Sequence, residues 1–141
     1  MSELIIQNVE EINDEIGEFL DKEFTDYAVK CEVGLNFDEF CFVAEDKTGK
    51  IAGAITGRAY YNEVHVADLI VAEEYRRTGL GSRLVASVED YFSGKGYDII
   101  TLTTFGFQAP GFYKKLGFSV EFVRENPDEK LTKYFLVKKL K

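Results

Sequence analysis

A mixed α/β fold, with helices on both faces of a central sheet, is predicted by three observations. Runs rich in β-branched and aromatic residues take turns with segments whose apolar residues recur at helical spacing. Ile51 to Tyr60 and Glu63 to Val71 read as consecutive strands, the second ending in the near-continuous apolar Leu69-Ile70-Val71 of a doubly covered strand. A Gly-containing turn, Arg76-Arg77-Thr78-Gly79-Leu80-Gly81, then leads into an amphipathic helix.

The elements follow in order. Leu4-Ile5-Ile6 reads as a short first strand, and Asn8 as the N-cap of a first helix with Glu11 at the capping-box position. Ile12, Ile16, Phe19, Leu20 and Phe24 give that helix one apolar face. Thr25 to Asp38 is open between a second helix and an irregular loop. Glu39 to Glu45 and Ile51 to Tyr60 are strands joined by the polar turn Asp46-Lys47-Thr48-Gly49-Lys50. After Glu63 to Val71, the residues Leu80, Leu84, Val85, Val88, Tyr91 and Phe92 mark a helix stopped by Gly94 and Gly96. Asp98 to Phe105 is a strand. Pro110 opens a short helix that Gly117 closes. Phe118 to Arg124 and Leu131 to Lys139 are final strands, separated by the turn-like Glu125-Asn126-Pro127-Asp128-Glu129.

A length of 141 residues suits one domain with one core, spanning 1–141. A hydrophobic share of 45 % fits a folded globule rather than a disordered chain. No apolar run approaches the roughly 20 residues that span a bilayer, and the start lacks the basic region of a secretory signal. Cys31 and Cys41 fit no metal or redox spacing, and one histidine with two scattered cysteines builds no typical metal site. These features predict a soluble, reduced, cytoplasmic protein without a metal. The net charge of -8 disfavours nucleic acid and anionic membrane as partners. It suits cationic small molecules or basic peptides, and it equally suits plain solubility.

The turn from Arg76 to Gly81 carries the strongest chemical hint. Unpaired amides at the positive end of a helix can close around a diphosphate, and arginines beside them add charge-assisted contacts. Two other phosphate motifs are excluded. A P-loop needs Gly-Lys-Ser/Thr, which is absent, and a dinucleotide fingerprint starting at Gly79 needs glycine or alanine where Leu84 stands. A plain connecting turn is the alternative reading of this segment alone.

Read together, Arg76, Gly79 and Gly81 and the downstream Ala109-x-x-Phe112-Tyr113-x-x-Leu116-Gly117-Phe118 resemble the GCN5-related N-acetyltransferase (GNAT) superfamily. The likeness covers roughly Gly53 to Phe122. Thr104-Phe105-Gly106-Phe107-Gln108-Ala109-Pro110 is similar to a stretch of a small bacterial subgroup. The resemblance implies a mixed, mostly antiparallel sheet and acetyl-CoA as co-substrate. It implies cofactor contacts along Leu69, Ile70 and Val71, at Arg76, Arg77, Thr78, Gly79, Leu80, Gly81 and Ser82, and at Phe112. Many relatives carry Asn where this chain has Gly106, so one side-chain contact to the pantetheine arm is lost or taken over by backbone groups.

Acetyl transfer to an amine requires a neutral amine, a stabilised oxyanion and a protonated leaving thiolate. Tyr113 matches the family's general acid; a buried core tyrosine is the plainer alternative. The amide of Val71 or a neighbour is the implied donor to the thioester oxygen. His65, the single histidine, stands where several relatives carry a catalytic Glu or His. Strand alternation places Glu63, His65, Ala67 and Leu69 on one face. His65, Glu63 or a water chain is then the base, and packing is the bland role for His65. Tyr60, Tyr61 and Tyr134 read first as aromatic sheet packing, with the lining of a substrate pocket as the alternative. The acceptor, a small-molecule or peptide amine, is expected to meet the region Thr25 to Asp38. The resemblance also admits a homodimer. A non-catalytic acyl-CoA-binding regulatory module is the competing class, and an enzyme acting on aminoacyl-tRNA is disfavoured by the acidic composition.

Overall fold

The computed structural model describes residues 3–141. They fall into two compact units, one ending at Leu35 and one spanning Asn36–Lys141. The first holds one helix, α1, spanning Asp14–Lys30. Leu4-Ile5-Ile6 forms no strand, and the cap is Asn13 rather than Asn8. The Asn13 side chain accepts from the Ile16 amide at 2.9 Å, and Asp14 and Glu15 place negative charge in the first turn. A start at Asn8 would put Asn13 and Asp14, both poor helix formers, inside the helix. Helix α1 continues through Thr25 to Lys30, and residues 31–37 are irregular.

The second unit is a six-stranded sheet in the order β1-β2-β3-β4-β6-β5. Its strands are β1 (Asp38–Glu45), β2 (Ile51–Tyr60), β3 (Glu63–Val71), β4 (Ile99–Phe105), β5 (Ser119–Arg124) and β6 (Lys133–Lys139). All neighbours pair antiparallel except β3 with β4. Helix α2 (Leu80–Phe92) lies over one face of the sheet, and Leu84, Val85, Val88 and Phe92 are buried there. Each such side chain, taken fully out of water, contributes about 1.5–3 kcal/mol. Ile55, Val64, Ile100 and Leu136 meet them from the sheet and are all but inaccessible. The short helix α3 (Pro110–Lys115) joins the same core through Tyr113.

One irregularity reorganises β3. Thr56 pairs with Asp68 and Gly57 with Val66, which leaves Ala67 as an extra residue in a bulge. Val64 and Val66 face the core before it; Leu69 and Val71 pack on the same core after it. The simple alternation of Glu63, His65, Ala67 and Leu69 on one face is therefore broken at Ala67. Glu63 and His65 share the opposite face with Asp68 and Ile70.

Gly57 is the residue that permits this. A Cβ there would stand 2.1 Å from the His65 carbonyl oxygen and 2.5 Å from the Phe40 ring. Gly57→Ala is expected to destabilise the protein by about 3 kcal/mol, because backbone and a core ring must both yield. A lowered urea midpoint with an unchanged slope checks this; an unchanged midpoint contradicts it.

Candidate active site

The link between β3 and α2 is built to leave amides open. A 3-10 turn at Glu73–Tyr75 is followed by Arg77 at φ 64 and Gly79 at φ 85. A non-glycine residue in the left-handed region is strained by about 1–3 kcal/mol. The first bond of α2 runs from the Arg83 amide to the Gly79 carbonyl. Among the described residues, no carbonyl or side chain accepts from the amides of Arg77 to Ser82. Two contacts brace the turn: Arg76 Nε donates to the Val71 carbonyl at 3.0 Å, and the Thr78 hydroxyl to the Tyr75 carbonyl at 2.5 Å. The Leu80 side chain points into the core, so its amide, not its side chain, belongs to this cradle.

Beside the cradle the sheet opens. Strands β3 and β4 pair only at Glu63 with Ile99, Val64 with Ile100 and His65 with Thr101. Beyond His65 and Thr101 the two strands part, although β3 runs on to Val71 and β4 to Phe105. The β3 backbone past the bulge thus presents an edge that β4 does not occupy. Leu69 and Val71 turn to the core and Ile70 outward, 63 % exposed.

The second predicted segment sits against the first. A Cβ on Gly81 would meet the Phe112 ring at 3.1 Å, so α3 lies against the first turn of α2. Tyr113 is buried, with its ring 5.0 Å from that of Phe112 and 5.8 Å from that of Phe118. Its hydroxyl bonds no described residue, yet no fully enclosed polar side-chain atom lacks a partner among them. The hydroxyl is therefore not fully sealed from its surroundings. Burial pushes the phenol up from its ordinary value, which keeps it protonated. Gly106 also has a structural reason. A Cβ there would come 2.2 Å from the Glu129 carbonyl oxygen, while the Gly106 amide donates to the Thr132 carbonyl at 2.8 Å. An asparagine cannot stand at this position without moving that turn.

His65 lies on the sheet face away from α2, and β3–β4 pairing sets Thr101 beside it. His65 Nδ1 is 2.9 Å from the Thr101 hydroxyl, which donates to Glu63 Oε2 at 2.5 Å. Glu63 Oε2 lies 3.9 Å from the same ring nitrogen, and the Tyr60 hydroxyl reaches it at 3.5 Å. Burial lowers the His65 pKa from its ordinary value; Glu63 opposes this and Arg58 adds to it. The imidazole is neutral at pH 7. Near the bulge, Glu39, Cys41, Thr56, Gly57, Arg58 and Ala67 line an open cavity of about 420 Å³.

Sequence reading named both motif segments, which the structure brings together at Gly81 and Phe112, and named His65 and Tyr113 as candidates for proton transfer. It missed Thr101, the bulge at Ala67 and the strained Arg77. An isolated glycine inside β2, Gly57, was the one available sign of the bulge. Of the three tyrosines read as packing, Tyr60 stands within reach of Glu63, Tyr61 forms the β2–β3 turn at φ 54, and Tyr134 on β6 pairs with Thr104 on β4. No cluster of three His, Cys, Asp or Glu suited to a metal ion occurs among the described residues. Nor is any described helix long and apolar enough to cross a membrane.

Comparisons with known proteins identify the family and the fold. The model of the Acetyltransferase (GNAT) family matches residues 6–118. A blasticidin-S acetyltransferase of Streptomyces morookaense is 34 % identical over 96 residues, covering 65 % of this chain and 68 % of the relative. A crystal structure of an acetyltransferase from Bacillus cereus superposes with a TM-score of 0.77 at 32 % identity, covering 95 % of this chain and 98 % of the other. A Bacillus anthracis protein described as a streptothricin acetyltransferase, solved in complex with acetyl coenzyme A, shares the fold. Its TM-score is 0.64 at 22 % identity, over 72 % of this chain and 62 % of its own. With the family matched across most of its length and the mixed, mostly antiparallel sheet in place, the chain belongs to the GNAT acetyltransferases and is an acetyl-transferring enzyme.

Proposed function

We propose that this enzyme binds acetyl-CoA with the diphosphate on the amides of Arg77 to Ser82 and the pantetheine arm along the open edge of β3. The observation that carries the reading is that row of unpartnered amides at the positive end of α2, beside a strand edge left free by β4. Arg76 and Arg77 flank the diphosphate, and Phe112 borders the cradle through its contact with Gly81. Ser82 offers a hydroxyl at the same place, while Thr78 contributes its amide, its hydroxyl being held by the Tyr75 carbonyl. The acetyl group then lies near the end of β3, where the Val71 amide or a neighbour donates to the thioester oxygen.

In the ternary complex, His65 takes a proton from the acceptor ammonium. The neutral amine attacks the acetyl carbon, the C–N bond forms and the C–S bond breaks. Tyr113 donates to the departing sulfur, and the coenzyme leaves as a thiol; the second proton of the attacking nitrogen, shed as the amide forms, restores the phenol through solvent, and His65 returns its proton to water. The acceptor is a primary amine of a small molecule or peptide, and the acidic surface favours a cationic one. The whole chain, 1–141, serves as one catalytic domain in the cytoplasm. Pairing of two copies along β5, an outer strand, belongs to the same reading.

Thiol release from acetyl-CoA over a panel of amines tests this. Transfer to one amine class is expected, with kcat/KM rising with pH through a limb on the acid side of the usual histidine value of about 6.5. The sign follows from burial, which favours the neutral, basic form of His65. Tight acetyl-CoA binding with no turnover on any amine would favour the non-catalytic module instead.

A further inference from the structure

Beyond the two proton-transfer residues, we propose that Thr101 is a positioning residue for the base. Its hydroxyl, donating to Glu63 and accepting from His65, holds the imidazole as the Nδ1–H tautomer and leaves Nε2 free to take the acceptor's proton. This rests on the reading of His65 as base.

The argument begins with register. Parallel pairing of β3 and β4 sets His65 opposite Thr101, and two residues back along β3 brings Glu63 to the same face. A threonine hydroxyl has one proton to give. At 2.5 Å from Glu63 Oε2 that proton is committed to the carboxylate, since two bare acceptors would repel at such a distance. What remains toward His65, at 2.9 Å, is a lone pair. Nδ1 must therefore carry the hydrogen, and the neutral ring has its free electron pair on Nε2.

The consequence is chemical. When Nε2 takes the ammonium proton, both ring nitrogens are protonated. Nδ1–H keeps its acceptor, and the Glu63 charge lies 3.9 Å away to offset the imidazolium. The hydroxyl moves no proton of its own. Thr101 is 9 % exposed, so water does not readily replace its hydroxyl. The other groups facing this cluster are Arg58 on β2, paired with His65, and Tyr60, which reaches Glu63. From β6, the residue opposite Thr101 is the uncharged Val137.

Because the chain has a single histidine, the tautomer can be read without assignment. Long-range proton–nitrogen NMR of the 15N-labelled enzyme should show the Nδ1–H form in the wild type. Thr101→Val should shift the ring toward the Nε2–H form, and Thr101→Ser should restore the original spectrum. In kinetics, Thr101→Val is expected to lower kcat about tenfold, the order of one lost hydrogen bond to a charged group. It should also move the acid limb of kcat/KM to lower pH and leave the acetyl-CoA KM unchanged. Thr101→Ser should return both. A wild-type ring in the Nε2–H form overturns the proposal, as does a Thr101→Val pH profile identical to wild type. The wild-type spectrum needs no variant to fold. His65→Ala separates the two layers: wild-type rate and pH profile in that variant would remove the base itself, whatever the tautomer. A rate loss there with no effect of Thr101→Val would leave the base and overturn its positioning.

Discussion

Tyr113→Phe is expected to lower kcat about a hundredfold, roughly 2.7 kcal/mol of transition-state stabilisation, with acetyl-CoA affinity and fold stability unchanged. The reasoning starts from what the substitution removes. The Tyr113 ring is buried against Phe112 and Phe118, and phenylalanine keeps those edge-to-face contacts. The hydroxyl has no partner among the described residues, so its loss leaves no donor or acceptor stranded there. On the proposed role, what disappears is a hydrogen bond made only when negative charge develops on the departing sulfur, and such an interaction acts on kcat. Burial raises the phenol's pKa and so keeps the proton available through the pH range of the assay. A Tyr113→Phe enzyme with wild-type kcat would return this residue to a packing role. A variant that unfolds at lower urea would show that the hydroxyl is structural.

Much of the fold was legible because its punctuation is local. Asp46 to Lys50 and the Tyr61-Asn62 turn bound β2 and β3, and both strands run over the residues the alternation predicted. Helix α2 begins at Leu80 because Gly79 takes the left-handed cap, and Gly94 at φ 75 follows its end. The amino-terminal segment was harder because two asparagines compete as caps. Asn13 wins once the acidic first turn and the poor helix formers at 13 and 14 are weighed together.

The site divides along the same line. Arg76 to Gly81 and Phe112 to Phe118 are contiguous motifs, and the structure brings them together at Gly81 and Phe112. Thr101 had no signal beyond its place in the Asp98 to Phe105 strand, because its bonds to Glu63 and His65 depend on a parallel register between distant segments. The bulge at Ala67 has no side-chain signature of its own. It follows from the close approach of the His65 carbonyl to Gly57 across the β2–β3 ladder. Gly106 illustrates the converse. Its departure from the common asparagine looked like a lost cofactor contact, and the Glu129 carbonyl fills the space such a side chain would need.

The cradle at the start of α2 is the centre of the account, and calorimetric titration tests it most directly. Acetyl-CoA and S-acetylpantetheine share the thioester and the pantetheine arm, but only the first carries the diphosphate. If the amides of Arg77 to Ser82 bind that diphosphate, S-acetylpantetheine should bind about a hundredfold or more weakly than acetyl-CoA, as expected for losing several charge-assisted hydrogen bonds. The affinity for acetyl-CoA should also fall as salt rises. Equal affinities for the two ligands, or no binding of acetyl-CoA at all, would contradict the assignment of the cradle.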